Sequence, residues 1–285
     1  MELQFADEFF STARERYAIK EKRASGAPWP WSKDEVFNTW RFCNVHREDD
    51  KTTVWFRNNI RLPNVFDTKF KQVLSTVIFR WFNRIETGEK ILDLLVGEWN
   101  TEEARQRLTG ISPVVTGAYI IKGPDGYSKL DGVLHCVDEA IPRLHLMTER
   151  WQTLRGAWED LCTCYYLAGF MSYEIVSDLR WTPVLDNAPD INTWANAGPG
   201  AARGLGWIVS GQNQSEREDQ LFNPGSAKDQ RVMLDMMREL LAMSSDQWPH
   251  GWRHWEMREV EHWLCEYDKY KRGQQGLKLK RRFQP

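Results

Sequence analysis

From Phe70 to Ile85 the apolar residues Phe70, Val73, Leu74, Val77, Ile78, Trp81, Phe82 and Ile85 recur at steps of three and four, the period of one face of an α-helix. A strand cannot use that pattern, because successive strand residues point to opposite faces. The spacing predicts a helix over 68–85 with its aromatics in a core. The same reading predicts helices over 7–23, from Ser32 towards Cys43, from Thr53 and from Thr101. Further helices are predicted over 150–169, 173–179, 201–209, 227–242 and 256–271. Ser32, with Glu35 three residues on, reads as a capping box. Ahead of it, Gly26-Ala27-Pro28-Trp29-Pro30-Trp31 stops the first helix, since each proline holds the preceding residue extended. The one β signal lies over 117–129, where Ala118-Tyr119-Ile120-Ile121 meets a Gly123-Pro124-Asp125-Gly126 turn and then Tyr127. The expected fold is mainly α: a single compact helical domain with one small β-hairpin over residues 1–272, then a basic C-terminal tail over 273–285.

Hydrophobic residues make up 41% and charged residues 27% of the 285, the balance of a globular chain with material for a core. No run of about 18 apolar residues is present to span a membrane. The acidic start, Met1-Glu2-Leu3-Gln4-Phe5-Ala6-Asp7-Glu8, lacks a secretory pattern. Five scattered cysteines, Cys43, Cys136, Cys162, Cys164 and Cys265, suit a reducing compartment. An intracellular protein is expected. The net charge of −2 hides an asymmetry, because seven of the 38 basic residues and none of the 40 acidic ones follow Asp268. Residues 1–268 thus carry −9, and the last 17 carry +7 as a basic arm suited to a polyanion. The other reading of that arm is a solvated helix end with a frayed terminus. Fifteen tryptophans supply core bulk, with some left over for stacking on flat ligands.

Two stretches carry the local chemistry. Gly198-Pro199-Gly200-Ala201-Ala202-Arg203-Gly204-Leu205 feeds a helix whose first N–H groups are unpaired and point outward. Glycine lets a phosphate come close, and Arg203 adds charge. With Ile191–Asn196 ahead of it read as a helix, the layout resembles the helix–hairpin–helix element with which many DNA glycosylases hold a DNA phosphate. A ligand-free tight turn between helices is the plainer alternative. On the last predicted helix Glu261, Cys265, Asp268 and Arg272 share one face, and Glu266 sits between His262 and Lys269 at i−4 and i+3. Such carboxylates serve acid–base work if buried, and make a salt-bridged surface helix if not. Cys162-x-Cys164, His250/His254 and His262/Cys265 are each half a metal site, so no metal and no cofactor are expected. Walker A, Gly-x-Gly-x-x-Gly and Gly-x-Ser-x-Gly patterns are absent from the sequence.

Several segments together resemble one family. They are Arg14-Glu15-Arg16-Tyr17-Ala18-Ile19, Lys22-Arg23, Pro28-Trp29-Pro30-Trp31, and above all Trp40-Arg41-Phe42-Cys43-Asn44-Val45-His46-Arg47-Glu48-Asp49-Asp50-Lys51-Thr52-Thr53. Asp178-Leu179, the glycine turn and Leu264-Cys265-Glu266-Tyr267-Asp268-Lys269-Tyr270 follow in order. This resembles the alpha-glutamyl/putrescinyl thymine pyrophosphorylase family, amino acid:DNA transferases of phages with hypermodified thymine. That family is related to helix–hairpin–helix DNA glycosylases, and similar helical domains accompany 5-hydroxymethyluracil DNA kinases. The glycosylase aspartate has no clear counterpart here; Asp219, Asp229 and Asp235 are all candidates.

The resemblance implies transfer of an amine, an amino acid such as glycine or a polyamine, onto phosphorylated 5-hydroxymethyl-deoxyuridine in viral DNA, in the host cytoplasm. The product would resist host restriction. The target base must leave the stack, the departing phosphate needs cations, and the amine must lose a proton. On that footing Glu266 or Asp268 is the expected base, Arg41 and Arg47 hold the leaving phosphate, and Gly198, Gly200, Arg203 and Lys269 hold DNA. Asn44 reads the pyrimidine edge, and Trp31, Trp29 or Trp40 stacks on the base. A glycosylase that removes a modified pyrimidine, and a non-catalytic DNA-binding partner of a 5-hydroxymethyluracil DNA kinase, stay open beside it.

Overall fold

The computed structural model describes residues 1–62, 65–118, 121–277 and 279–284. Among these lie thirteen α-helices and no strand, with one antiparallel bridge between Trp40 and Arg282. The hairpin expected over 117–129 falls in part on Tyr119 and Ile120, outside the described residues, as do Lys278 and Pro285 of the tail. Its described remainder forms no ladder. Gly126 turns the chain at φ +85°, Tyr127 stacks on His135 with ring centroids 4.9 Å apart, and Ser128 caps a helix. The residues divide into two compact units: Met1–Asp50 with Asn192–Pro285, here the terminal unit, and Lys51–Ile191, the inserted unit. No helix among the described residues is long and apolar enough to cross a membrane.

The terminal unit opens with α1 (Ala6–Ala24) and α2 (Glu35–Thr39). Asp7 and Glu8 in the first turn of α1 and Lys22 and Arg23 in its last oppose the helix dipole. The cap of α2 is Asp34, whose Oδ1 accepts the Val36 N–H at 2.8 Å. Ser32, expected in that role, instead accepts the Asp34 N–H at 2.9 Å and so holds the capping residue.

The inserted unit runs α3 (Lys51–Phe56), α4 (Lys69–Phe82), α5 (Ile85–Lys90), α6 (Leu92–Val96), α7 (Thr101–Leu108), α8 (Lys129–Met147), α9 (Leu154–Leu161) and α10 (Gly169–Leu179). The stripe over 68–85 is α4, buried throughout from Gln72 to Phe82 and packed against α8 and α10. It stops short of Ile85 because Asn83 takes the left-handed conformation at φ 44°, which Asn tolerates well. The long α8 was hidden in the sequence by Gly132 and Pro142, although Val133, Val137, Ala140 and Leu144 bury a stripe at helical spacing. In this core Arg80 forms a two-pronged pair with Asp178, one bond 2.9 Å long, and reaches Asn83 at 2.7 Å and Thr53 at 3.1 Å. Both partners are buried. Asp178, one of the residues that carries the resemblance, is thus a core anchor.

The terminal unit resumes at Asn192 and adds α11 (Pro199–Ser210), α12 (Ala227–Gln247) and α13 (Met257–Gln274). Residues 191–193 are turn and 194–198 are irregular. The reading of Ile191–Asn196 as a helix is therefore corrected, and only the second helix of the proposed motif is present. α11 lies hard against α13. A Cβ at Gly204 would fall 2.9 Å from the Leu264 carbonyl carbon, and one at Gly200 would fall 2.7 Å from the Cys265 sulfur. These glycines let two helices touch. α13 is the hub of the unit: Trp263 donates to the Phe9 carbonyl at 3.1 Å, Tyr267 to Glu8 at 2.8 Å and Tyr270 to Asp34 at 2.7 Å. Beyond it the tail returns to α2, with Phe283 N–H donating to Thr39 O at 2.9 Å and Arg41 N–H to Arg281 O at 3.2 Å. Arg281, Arg282 and Phe283 thereby lie along residues 39–41.

Candidate functional site

Of the segment that most distinguishes this sequence, residues 40–53, the part within the terminal unit, 40–50, leaves α2, takes one 3-10 turn over Arg47–Asp49 and folds over α13. Its fixed points are visible. His46 is fully buried, edge-on to Tyr17 at 5.9 Å, with Nδ1 3.7 Å from the Glu259 carboxylate on α13. Phe42 packs against Phe37 at 4.9 Å and takes the Lys269 ammonium over its ring at 4.7 Å. Between these anchors, Cys43, Asn44 and Asp50 face His262 and Glu266.

Glu266 is buried and accepts the Cys43 N–H at 2.9 Å and the Lys269 ammonium at 3.2 Å. Burial is the largest influence on its carboxyl and pushes it up. Lys269, His262 and the Cys43 N–H together outweigh burial and hold it below the usual carboxylate range. It is therefore ionised at neutral pH. Asp50 shows the opposite balance. Burial raises it, and the relief from His262, the Asn44 N–H and Arg47 does not make up the difference. Cys43 faces solvent, yet the protein around it, then Glu266 and Asp50, push its thiol well above the ordinary range.

Asn44 has little amide capacity to spare. Its Oδ1 accepts from Arg16 at 2.7 Å, and its Nδ2 donates to the Asp49 carbonyl at 2.9 Å and to Asp50 at 3.1 Å. Its backbone N–H also donates to Asp50 at 3.1 Å, and its carbonyl lies 3.1 Å from His262 Nε2. The residue expected to read a base edge thus orders the loop around it. Asp268 is buried too, with Oδ2 accepting from Arg203 at 2.9 Å and Oδ1 from Trp207 at 3.3 Å. Burial raises this carboxyl despite the Arg203 guanidinium. Arg203 and Asp268 thereby tie α11 to α13.

The remaining expected residues divide by exposure. Arg47 is buried beside Asp50, which it helps to ionise. Arg41 is exposed, and its carbonyl accepts from Lys269. Gly198, ahead of α11, faces open space. Trp31 lines a cleft of about 680 Å³ with Lys22, Lys33, Asp34, Phe37 and Tyr270. Its indole donates to Ala27 O at 2.7 Å and has Arg23 over its ring at 5.7 Å. Trp29 is 49% exposed, and Trp40 carries Arg282 over its ring at 5.9 Å. The structure therefore brings together Glu266, Lys269, Asn44 and the Arg41 backbone, and it separately pairs Arg203 with Asp268. It also adds three residues that the sequence reading did not combine, Cys43, Asp50 and His262, whose ligand atoms all lie within 4.8 Å of one another. No spacing rule finds them, because 212 residues separate Asp50 from His262.

Comparison with known proteins matches this chain to a family and to a phage protein. The family described as 5-hmdU DNA kinase, helical domain, matches residues 3–278. A 5-hmdU DNA kinase of Bacillus phage SP10 is 25% identical over 292 aligned residues, covering 93% of this chain and 44% of the phage protein. The chain thus spans less than half the length of that relative. No solved structure matches it.

Proposed function

Starting from the premise that this chain belongs to the family of 5-hmdU DNA kinase helical domains, we propose that it acts in thymine hypermodification as an amine:DNA transferase. The substrate is DNA bearing a phosphorylated 5-hydroxymethyl-deoxyuridine, and the co-substrate is an amino acid or polyamine. The observation that carries this reading is the joint placement of three parts in the terminal unit. The glycine turn of α11 packs on α13, α13 carries a buried and ionised Glu266, and the basic tail runs back beside Arg41. The resemblance of residues 40–53 and 264–270 to the pyrophosphorylase family supports the finer assignment.

In this mechanism the amine nitrogen attacks the exocyclic carbon, the carbon–oxygen bond to phosphate breaks, and the amine proton passes to the Glu266 carboxylate. Arg41 and Lys269 balance the charge on the departing phosphate. Gly198, at the start of α11, meets the DNA backbone. Trp31 offers an aromatic face to an extruded base, worth about 1–3 kcal/mol in comparable stacks. Asn44, Asp268 and Arg203 hold this frame and do not touch the substrate.

The test is nucleoside mass spectrometry on phosphorylated 5-hydroxymethyluracil DNA, incubated with the protein with and without amines. An aminated nucleoside that requires both protein and amine is the expected result. Abasic sites without amine addition would replace this reading with a glycosylase. Membership of a kinase-associated family also favours a DNA-binding companion of the kinase, which would bind the modified DNA and leave it unchanged.

A further inference from the structure

Cys43, Asp50 and His262 hold a sulfur, a carboxylate oxygen and a ring nitrogen within 4.8 Å of one another. We propose that these three side chains form a binding site for a zinc-type divalent cation, with its solvent side open for an exchangeable fourth ligand. The donor set selects the ion class. Magnesium and calcium sites are built from oxygen, whereas zinc accepts thiolate, imidazole and carboxylate together. At zinc bond lengths of about 2.0–2.3 Å, tetrahedral ligand atoms sit roughly 3.3–3.8 Å apart, so an ion would have to draw the three donors together by about 1 Å from their present limit of 4.8 Å.

The surroundings orient these ligands as an outer shell does. A carbonyl can only accept, so His262 Nε2, 3.1 Å from Asn44 O, carries its hydrogen. The proposed ligand atom is therefore Nδ1, since a metal-bound histidine ordinarily donates its other ring N–H to a carbonyl or carboxylate. Asp50 Oδ1 is fixed by the Asn44 N–H and side-chain amide, both at 3.1 Å, and Arg16 locks Asn44 in turn at 2.7 Å. A Cys–His–Asp nucleophilic triad fits less well. It needs one ring nitrogen on the cysteine and the other on the aspartate, and Nε2 is committed to a backbone carbonyl. Arg16 and Lys269 place positive charge nearby, and Glu266 offsets part of it through its contacts with Lys269 and the Cys43 N–H. Cys43 is exposed while Asp50 and His262 are half-buried, so the site opens to solvent.

Cobalt(II) titration of the full-length, chelator-dialysed protein tests the proposal without DNA or amine. Failure of the transferase reading would leave its outcome untouched. One equivalent of Co(II) should give a thiolate charge-transfer band and the intense visible bands of tetrahedral coordination, both abolished by one equivalent of Zn(II). Cys43→Ser should remove the charge-transfer band, and Asn44→Ala should weaken binding by about 10–100-fold. Cys162→Ser, in the inserted unit, should change neither. If Cys43→Ser does not fold, maleimide labelling of the wild type replaces it, with Zn(II) expected to protect Cys43. Absence of a one-to-one complex, binding undiminished in Cys43→Ser/His262→Gln, or labelling of Cys43 unaffected by Zn(II) would each overturn the assignment.

Discussion

Glu266 and Asp268 sit two residues apart on one helix, both buried, and their environments pull them in opposite directions. Lys269, His262 and a backbone N–H keep Glu266 ionised, whereas burial prevails over Arg203 at Asp268. An ion pair that does not recover its desolvation cost gives position more than stability, which is the role of the Arg203–Asp268 link. On the transferase reading, Glu266→Gln keeps an acceptor for the Cys43 N–H and loses the proposed base. Aminated product should fall by about 10²–10⁴-fold with the melting temperature nearly unchanged. Asp268→Asn should instead cost about 1–3 kcal/mol of stability in urea unfolding, with activity retained wherever the protein remains folded. At Arg80 the charge is deeper still, with Asp178 fully buried. Arg80→Leu would strand that carboxylate and should destabilise the protein by about 3–5 kcal/mol, again read by urea unfolding.

Helix packing decides what the glycine turn does. Gly200 and Gly204 face Cys265 and Leu264 so closely that no side chain fits, while Gly198 faces open space. Gly204→Ala must push α11 off the backbone of α13, at about 1–3 kcal/mol, and a calorimetric melt should show it. Gly198→Ala has room and an ordinary φ of −76°, so stability should be unaffected. If the turn holds a phosphate, however, Gly198→Ala should weaken DNA binding in a gel-shift titration. Unchanged affinity would leave the turn a packing device only. The two substitutions thus separate the two explanations of one motif.

At the scale of the whole chain, charge is the organising quantity. Residues 1–268 are acidic and the last 17 are basic, and the docked tail brings Arg281 and Arg282 beside residues 39–41. If these cations grip a nucleic acid, they replace its counterions, and affinity should fall steeply with salt. Replacing Lys280, Arg281 and Arg282 with Ala should lower the slope of log K against log salt by about one for each phosphate that is no longer neutralised. A fluorescence-anisotropy salt series on the modified DNA checks this. An unchanged slope would place the DNA interface elsewhere. The terminal unit is discontinuous, leaving at Asp50 and resuming at Asn192, and residues from both stretches build its site.

The sequence by itself determined the helical class, the positions of α1, α4, α11 and α13, and the acidic–basic asymmetry. Periodicity, breakers and charge are local, and each can be read within a few turns of chain. It also marked Glu266 with its i−4 and i+3 neighbours, since helical spacing alone makes them adjacent. Tertiary structure decided the rest. Whether Asp268 is a base or a strut depends on Arg203 and Trp207, 65 and 61 residues away. Asn44 is a strut because Arg16 reaches it across 28 residues, and Cys43, Asp50 and His262 meet only because residues 40–50 fold over α13. Burial and long-range pairing set the protonation and reach of each group, and neither is a property of any window of sequence.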